Sequence, residues 1–354
     1  MTSLSNDFKR KIIAPIEALF QEALEGANPP IVAGGRNYQP PPAFDAVGAD
    51  LLEAGSPDLE SQAVQSKNGQ VNEIALEEAL YAINGLIGLQ SAKRSIRRLA
   101  DFAQIESQRR RLKLPQSRVS FHCVFSGSPG TGKTSFARLL GKILKALGLL
   151  ESGHTVEVDK SGLVGEFLGQ TPIKVERVFD DADGGVLFID EAYSLSHDKE
   201  DLYGREAIDT IVKLMEDRRD SVVVIVAGYS QEMRNFIASN PGLRSRFNRT
   251  IRFDDFDEIE LLAIQKQMLR SCGFDASDGF MLRSELLWQK LYRERLTGDA
   301  NARMVRSALE IVLENQAGRL MRMPKKERHE LCELEPEDLD GVESQLRESQ
   351  HDRA

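Results

Sequence analysis

Cysteine is scarce: three residues, Cys123, Cys272 and Cys332, in a chain of 354. They lie far apart, with no CxxC and no histidine pair at ligand spacing, which excludes a disulfide framework and argues against a zinc site. Long apolar runs are missing as well. The longest strongly apolar stretch, Val222 to Ala227, is far short of the roughly 20 residues that a membrane helix needs. The opening residues, MTSLSNDFKRKIIAPIEALF, lack the uninterrupted apolar core of a signal peptide. Basic charge is not in excess. Lys plus Arg number 46 against 55 Asp plus Glu, a net charge of −9, which argues against a generic nucleic-acid coat or a basic membrane binder. These absences point to a reducing, cytoplasmic setting without membrane insertion. What is present is 41% apolar and 29% charged residues, enough for a sizeable core in one large domain or two to three small ones.

Composition divides the chain unevenly. Residues 1–25 carry Ile16, Leu19, Phe20 and Ala23 at helical spacing after Pro15, a short helix that either docks a partner or folds over the protein's own core. Asn28-Pro29-Pro30, Gly34-Gly35 and Pro40-Pro41-Pro42 make 26–70 a flexible linker. From 71 to 255, strands and helices alternate. Short apolar runs at 121–126, 155–158, 186–189, 222–226 and 250–253 are separated by helical patterns, among them Phe136, Leu139, Leu140, Ile143, Leu144 and Leu147 on one face. Thr171-Pro172 reads as an N-cap and first-turn proline. Such alternation predicts an α/β fold, a parallel sheet with helices on both faces. Residues 256–325 read as helix only, with Ile259, Leu262, Ala263, Lys266 and Leu269 along the first. Residues 327–354 hold 10 acidic and 3 basic residues, so 326–354 reads as a solvated acidic tail.

Two motifs carry chemistry. Gly127-Ser-Pro129-Gly130-Thr131-Gly132-Lys133-Thr134 follows a strand and opens a helix, the context that GxxxxGK[ST] requires. Its glycines let backbone N–H groups close on phosphate oxygens, and the helix N-terminus adds partial positive charge. Lys133 is suited to the β- and γ-phosphates of ATP and Thr134 to Mg²⁺. The run Val186-Leu-Phe-Ile-Asp190-Glu191 ends a buried strand in two carboxylates at the sheet edge where ligands bind. Asp190 suits the outer coordination sphere of Mg²⁺ and Glu191 the polarisation of an attacking water, a pairing that argues for hydrolysis.

Taken with Gly85-Leu-Ile-Gly88-Leu, Leu163-Val-Gly-Glu-Phe-Leu-Gly-Gln-Thr171, Val226-Ala-Gly-Tyr229, Asn240-Pro-Gly-Leu-Arg244-Ser-Arg246-Phe and Asn301-Ala-Arg303, these motifs are highly specific in their order. The chain over about 84–320 resembles the AAA+ ATPases. Within them it resembles the group containing red-type Rubisco activase, the stage V sporulation ATPase and the type VII secretion ATPase. The resemblance implies a P-loop α/β domain followed by a small all-helical lid, assembly into a homo-oligomeric ring, expected to be hexameric, and an unidentified protein client. It implies that Ile87 and Gly88 border the adenine, that Arg244 and Arg246 reach a neighbouring subunit's γ-phosphate, and that Arg303 contacts the γ-phosphate in cis. Arg306, one turn on, is a weaker candidate for that contact. The resemblance also implies that Phe167 and Leu168 face a central pore and grip peptide, although the residues alone favour a core position for Phe167. The fourth strand ends in Ala227-Gly228-Tyr229-Ser230, where many AAA+ proteins place a polar sensor, and no residue is assigned to that role.

The leading function is ATP-driven remodelling of a client by threading. The alternatives are a nucleic-acid motor or loader, or a nucleotide-gated assembly ATPase. Residues 89–118 hold 9 Lys plus Arg against 2 acids, but few aromatics are present to stack on bases, so a nucleic-acid partner is not expected. His122 and Cys123 read as packing residues on a strand.

Overall fold

The structure is a computed structural model and describes residues 71–115, 120–167, 169–196, 201–297, 300–323 and 327–351. The expected helix at 1–25, the linker at 26–70 and Leu168 lie outside the described residues.

Two helices, α1 (Glu73–Gly85) and α2 (Gln90–Arg111), precede the sheet. The α/β unit then runs β1 (Cys123–Gly127), α3 (Lys133–Ala146), β2 (Thr155–Val158), α4 (Lys160–Leu163), α5 (Gln170–Asp181), β3 (Val186–Ile189), α6 (Leu202–Asp217), β4 (Val223–Gly228), α7 (Ser230–Ser239), α8 (Pro241–Arg246) and β5 (Thr250–Phe253). All strand pairings are parallel and the order is β2-β3-β4-β1-β5. Parallel strands are buried on both faces, so their side chains alternate between two apolar layers. On one face Phe125, Phe188 and Phe253 meet Phe136 of α3, with ring centroids 5.0 Å apart for Phe125–Phe253 and 5.1 Å for Phe136–Phe253. On the other, Val124, Leu187, Val224 and Val226 pack against Phe179 of α5 and Ile211 and Met215 of α6. The expected α/β class, with helices on both faces, is what the chain adopts.

The strand order matters for chemistry. The sheet places the C-terminal end of β4 between those of β1 and β3, so the loops after all three strands open onto one crevice. His122 and Cys123 serve the sheet. His122 is buried, accepts a hydrogen bond from the Val224 N–H at 3.0 Å, and has its pKa depressed to about 4 by burial. Burial pushes the Cys123 thiol up to about 12.

The lid comprises α9 (Glu258–Ser271), α10 (Asp278–Arg293) and α11 (Ala302–Met321). Its first helix buries Leu261, Ile264, Met268 and Leu269, while Ile259 is exposed. The face expected from Ile259 and Leu262 is therefore rotated. Asp257 and Glu260 form a reciprocal capping box that starts the helix, and Ile259 falls on the outer side of that turn.

The acidic tail is a correction. Residues 327–351 fold back as α12 (Arg328–Cys332), β7 (Glu333–Leu334), a 3-10 turn (Pro336–Leu339) and α13 (Val342–His351). Leu334, Leu339, Val342 and Leu346 are buried in the lid core. Three of its acids pair with cations of the preceding lid helices. Arg319 Nε lies 2.9 Å from Asp338, which is 1% exposed, Arg283 lies 2.6 Å from Asp340, and Lys290 lies 2.8 Å from Glu343. Composition registered the charge and missed the partners, which lie on helices far upstream. β7 also pairs in parallel with β6 (Asp275–Ala276), a two-residue ladder in the otherwise helical lid. Among the described residues, no helix is long and apolar enough to cross a membrane.

Candidate functional site

The crevice above β1, β4 and β3 holds a cavity of about 380 Å³. From β1 come Pro129, Gly130, Thr131, Gly132, Lys133 and Thr134. From β3 come Asp190 and Glu191, and from β4 come Gly228 and Tyr229. The α1–α2 turn supplies Leu86, Ile87 and Leu89, and the lid supplies Met268, Arg303 and Arg306. The lining thus combines apolar side chains with charged ones, the mixture that the base and the phosphates of a nucleotide require.

The glycine-rich loop after β1 is braced from within. Gly130 and Gly132 have φ of 72° and 84°, a region that favours glycine. Gly132 is the N-cap of α3, so that helix begins without a side-chain cap and its first N–H groups face the cavity. Thr131 is buried, and its hydroxyl donates to the Ser128 carbonyl at 2.8 Å. Lys133 is buried, and its ammonium donates to the Gly127 and Ser128 carbonyls at 3.0 and 2.9 Å. Burial lowers its pKa, with the nearby Asp190 carboxylate opposing and Arg303 reinforcing that effect. Lys133, Asp190, Glu191 and Arg303 all line the cavity.

Glu191 has φ of 46°, a left-handed backbone for a non-glycine residue at the mouth of the sheet. Such strain costs on the order of 1–3 kcal/mol and is retained where surrounding structure enforces it. Its N–H donates to Asp190 Oδ1 at 3.0 Å, and the Asp190 N–H donates to the Val158 carbonyl at 2.9 Å. The first carboxylate is thereby turned back on the chain while the second is exposed. Gly228 is the last residue of β4, and a Cβ there would lie 2.7 Å from the Tyr193 ring, so the absence of a side chain lets that ring pack close. Tyr193 is pushed up to about 12 by burial and by Glu191, and its ring lies 6.1 Å from that of Tyr229.

The residues fit MgATP. Thr134 stands half-buried at the start of α3 and Asp190 at the end of β3, one hydroxyl and one carboxylate in the same cavity. That sparse donor set suits Mg²⁺, which keeps waters and phosphate oxygens as its other ligands. Among the described residues, no cluster of three or more His, Cys, Asp or Glu could hold a metal by itself.

The other expected site residues fall elsewhere. Gly88 does not line the cavity. It turns the chain at φ 63°, where a Cβ would lie 2.4 Å from the Glu260 carboxylate. Arg244 and Arg246 are absent from the lining. Arg244 is exposed on α8. Arg246 makes long contacts, 3.5 Å to the Gly242 carbonyl, 3.4 Å to Ser245 Oγ and 3.5 Å to Glu216, and its buried Nε finds no hydrogen-bond partner among the described residues. Phe167 is 66% exposed, so it is not a core residue. Thr171 is not an N-cap; Gly169, at φ 80°, takes that position on α5. Thr171 is instead buried and accepts from the Gly165 N–H at 3.0 Å, bracing the loop that carries Phe167. No pattern in the sequence signals Tyr229, Phe256 and Met268 as part of the cavity lining, or Asn301 as a buried residue. Asn301-Ala-Arg303 was visible as a motif, but nothing in it distinguishes a buried asparagine from an exposed one.

Residues 123–255 match the family model described as "ATPase family associated with various cellular activities (AAA)", and residues 257–350 match the AAA lid domain. The second match includes the folded acidic segment. Stage V sporulation protein K of Bacillus subtilis is 35% identical over 291 residues, 82% of this chain and 90% of that protein. The chloroplastic ribulose bisphosphate carboxylase/oxygenase activase of Cyanidioschyzon merolae is 40% identical over 259 residues, 72% of this chain and 87% of that protein. Protein CbbX of Cereibacter sphaeroides is 41% identical over 236 residues, 66% and 76% respectively. With a glycine-lined phosphate loop, a strand-end carboxylate pair and a matching lid, the chain belongs to the AAA ATPase family, in the group of stage V sporulation protein K, CbbX and red-type Rubisco activase, and is an ATP hydrolase.

Proposed function

We propose that this ATPase works as a ring, expected to be a hexamer, and remodels a client protein by drawing a peptide into a central pore. The observation that carries this reading is Phe167. A large aromatic is 66% exposed on a loop whose base is pinned by a buried threonine. Exposed aromatics on rigid supports give sequence-tolerant contacts, which suits an unspecified polypeptide. A relative named for activating another enzyme supports a protein client.

In each subunit Lys133 and the α3 N-terminus hold phosphates, Thr134 and Asp190 hold Mg²⁺, and Arg303 reaches in from the lid. When bound, ATP would supply the phosphoryl group that water attacks, with ADP as the leaving group, and Mg²⁺ would offset the charge on the phosphate oxygens. Glu191 orients a water and receives its proton. Neither Arg244 nor Arg246 reaches its own subunit's cavity, and Arg246 is weakly satisfied where it lies. Both observations support their use as fingers on a neighbour, where a planar cation stabilises phosphoryl transfer.

The test is Phe167→Ala, read by thermal melting and by ATP turnover with and without a permanently unfolded protein such as reduced, carboxymethylated lactalbumin. The expected result is an unchanged melt, basal turnover within a few-fold of the parent, and loss of stimulation. Retained stimulation would refute the grip. Stimulation by single-stranded DNA and not by unfolded protein would favour a nucleic-acid motor, and no stimulation of the parent by either would favour a gating scaffold.

A further inference from the structure

Asn301 stands at the junction between the lid and the phosphate-binding loop. It is fully buried, and its backbone sits at φ 48°, ψ −126°. A Cβ makes that region nearly inaccessible to residues other than glycine, so an asparagine there must be held by what its side chain does.

The amide is engaged on both ends. Its Oδ1 accepts from the Phe256 N–H at 2.9 Å. Its Nδ2 donates to Asp255 Oδ1 at 2.9 Å and to the Pro129 carbonyl at 3.3 Å. The next N–H along the chain, that of Ala302, donates to the Gly130 carbonyl at 3.2 Å. Two successive carbonyls of the phosphate loop therefore end on the first turn of α11, the helix that carries Arg303. The exit from β5 is tied into the same node through Asp255 and Phe256. Gly130 completes the joint, since a Cβ on it would lie 2.3 Å from the Ala300 carbonyl and 3.0 Å from the Arg303 nitrogen.

We infer that Asn301 is a positioning residue for hydrolysis. It fixes Arg303 relative to the phosphate loop, so that a change in the Pro129–Gly130 carbonyls turns the lid and a turn of the lid moves those carbonyls. Its own side chain is spent on protein partners and acts through Arg303. The inference rests on the reading of Arg303 as the lid's cation for the γ-phosphate.

The test uses Asn301→Gly in the full chain. Glycine adopts the observed backbone without strain, and the strain it relieves offsets the loss of the amide's hydrogen bonds, that to the Phe256 N–H included. The expected result is a melting temperature within about 4 °C of the parent, ADP affinity within about three-fold, and kcat reduced by about ten-fold or more. Arg303→Ala alone should also lose turnover, and N301G combined with R303A should be no slower than R303A, because the two changes interrupt one route. Asn301→Asp is the second variant. It keeps the acceptor for Phe256, loses the donor to Pro129, sets a carboxylate against Asp255, and should lose turnover as the glycine variant does. If N301G does not fold, N301D carries the same comparison. Turnover of N301G within about two-fold of the parent, or a loss matched by a lower folded fraction, would overturn the inference. A double-variant loss equal to the product of the single losses would also overturn it while leaving Arg303 in place. Full activity of R303A would remove both.

Discussion

Two loops of this protein are built alike and end differently. Each enters a helix through a glycine in the left-handed region, Gly132 at φ 84° before α3 and Gly169 at φ 80° before α5, and neither helix has a side-chain cap. Each is braced by a fully buried threonine, Thr131 to the Ser128 carbonyl and Thr171 to the Gly165 N–H. The first loop lies over the sheet between carboxylates and a lid, so its uncapped helix start and buried lysine line an open crevice. The second loop lies beyond the end of β2, the edge strand, and presents an aromatic to solvent. Local backbone grammar makes a stiff, glycine-hinged turn. Position in the sheet determines whether that turn binds a ligand or offers a surface.

Three measurements would break or sharpen that contrast, beside those on Phe167 and Asn301. The largest effect is expected at Arg246. If the crevice is completed by a neighbour, Arg246→Ala should reduce turnover on the order of 10³-fold, and mixing it with Lys133→Ala subunits should restore part of the activity. In the mixed ring, one partner supplies the finger and the other the intact cavity. Turnover by a strictly monomeric species at all concentrations, measured by kinetics alongside light scattering, would show the cavity to be complete in one chain.

Next are the residues of the cavity itself. Glu191→Gln should retain nucleotide while kcat falls about 10²-fold or more, and Lys133→Ala should lose nucleotide affinity, both read by fluorescent-nucleotide titration and phosphate release. Equal hydrolysis by the parent and Glu191→Gln would remove the water-orienting role. The smallest effect is expected at the brace of the second loop. Thr171→Val leaves the Gly165 N–H buried without an acceptor, at a cost of about 1–3 kcal/mol. Amide hydrogen exchange should show it as faster exchange confined to residues around Gly165, with basal turnover unchanged. An undisturbed loop would mean that the aromatic is held by something other than Thr171.

The sequence by itself determined the parallel α/β sheet, the glycine-rich loop after its first strand and the carboxylate pair. These features are local: apolar runs bounded by turn residues, glycines at spacings that close on phosphate, and acids placed at a strand end. Ile87, Pro129 to Thr134, Asp190, Glu191 and Arg303 all line one cavity, whereas Gly88, Arg244 and Arg246 do not. Only the tertiary structure decided the remainder, because it depends on partners far away in the chain. Residues 327–351 look like a solvated acidic tail until Arg283, Lys290 and Arg319 are seen to pair their acids and the lid is seen to bury Leu334, Val342 and Leu346. Ile259 looked inward by periodicity until the capping box set the phase of α9. Thr171 looked like a cap until the fold brought the Gly165 N–H to it. Asn301 was one polar letter in a motif until burial and a glycine-like backbone showed that it joins the lid to the phosphate loop. Pattern fixes a residue's neighbours along an element, whereas burial and hydrogen bonding depend on which other elements arrive, and that is set by packing of the whole chain.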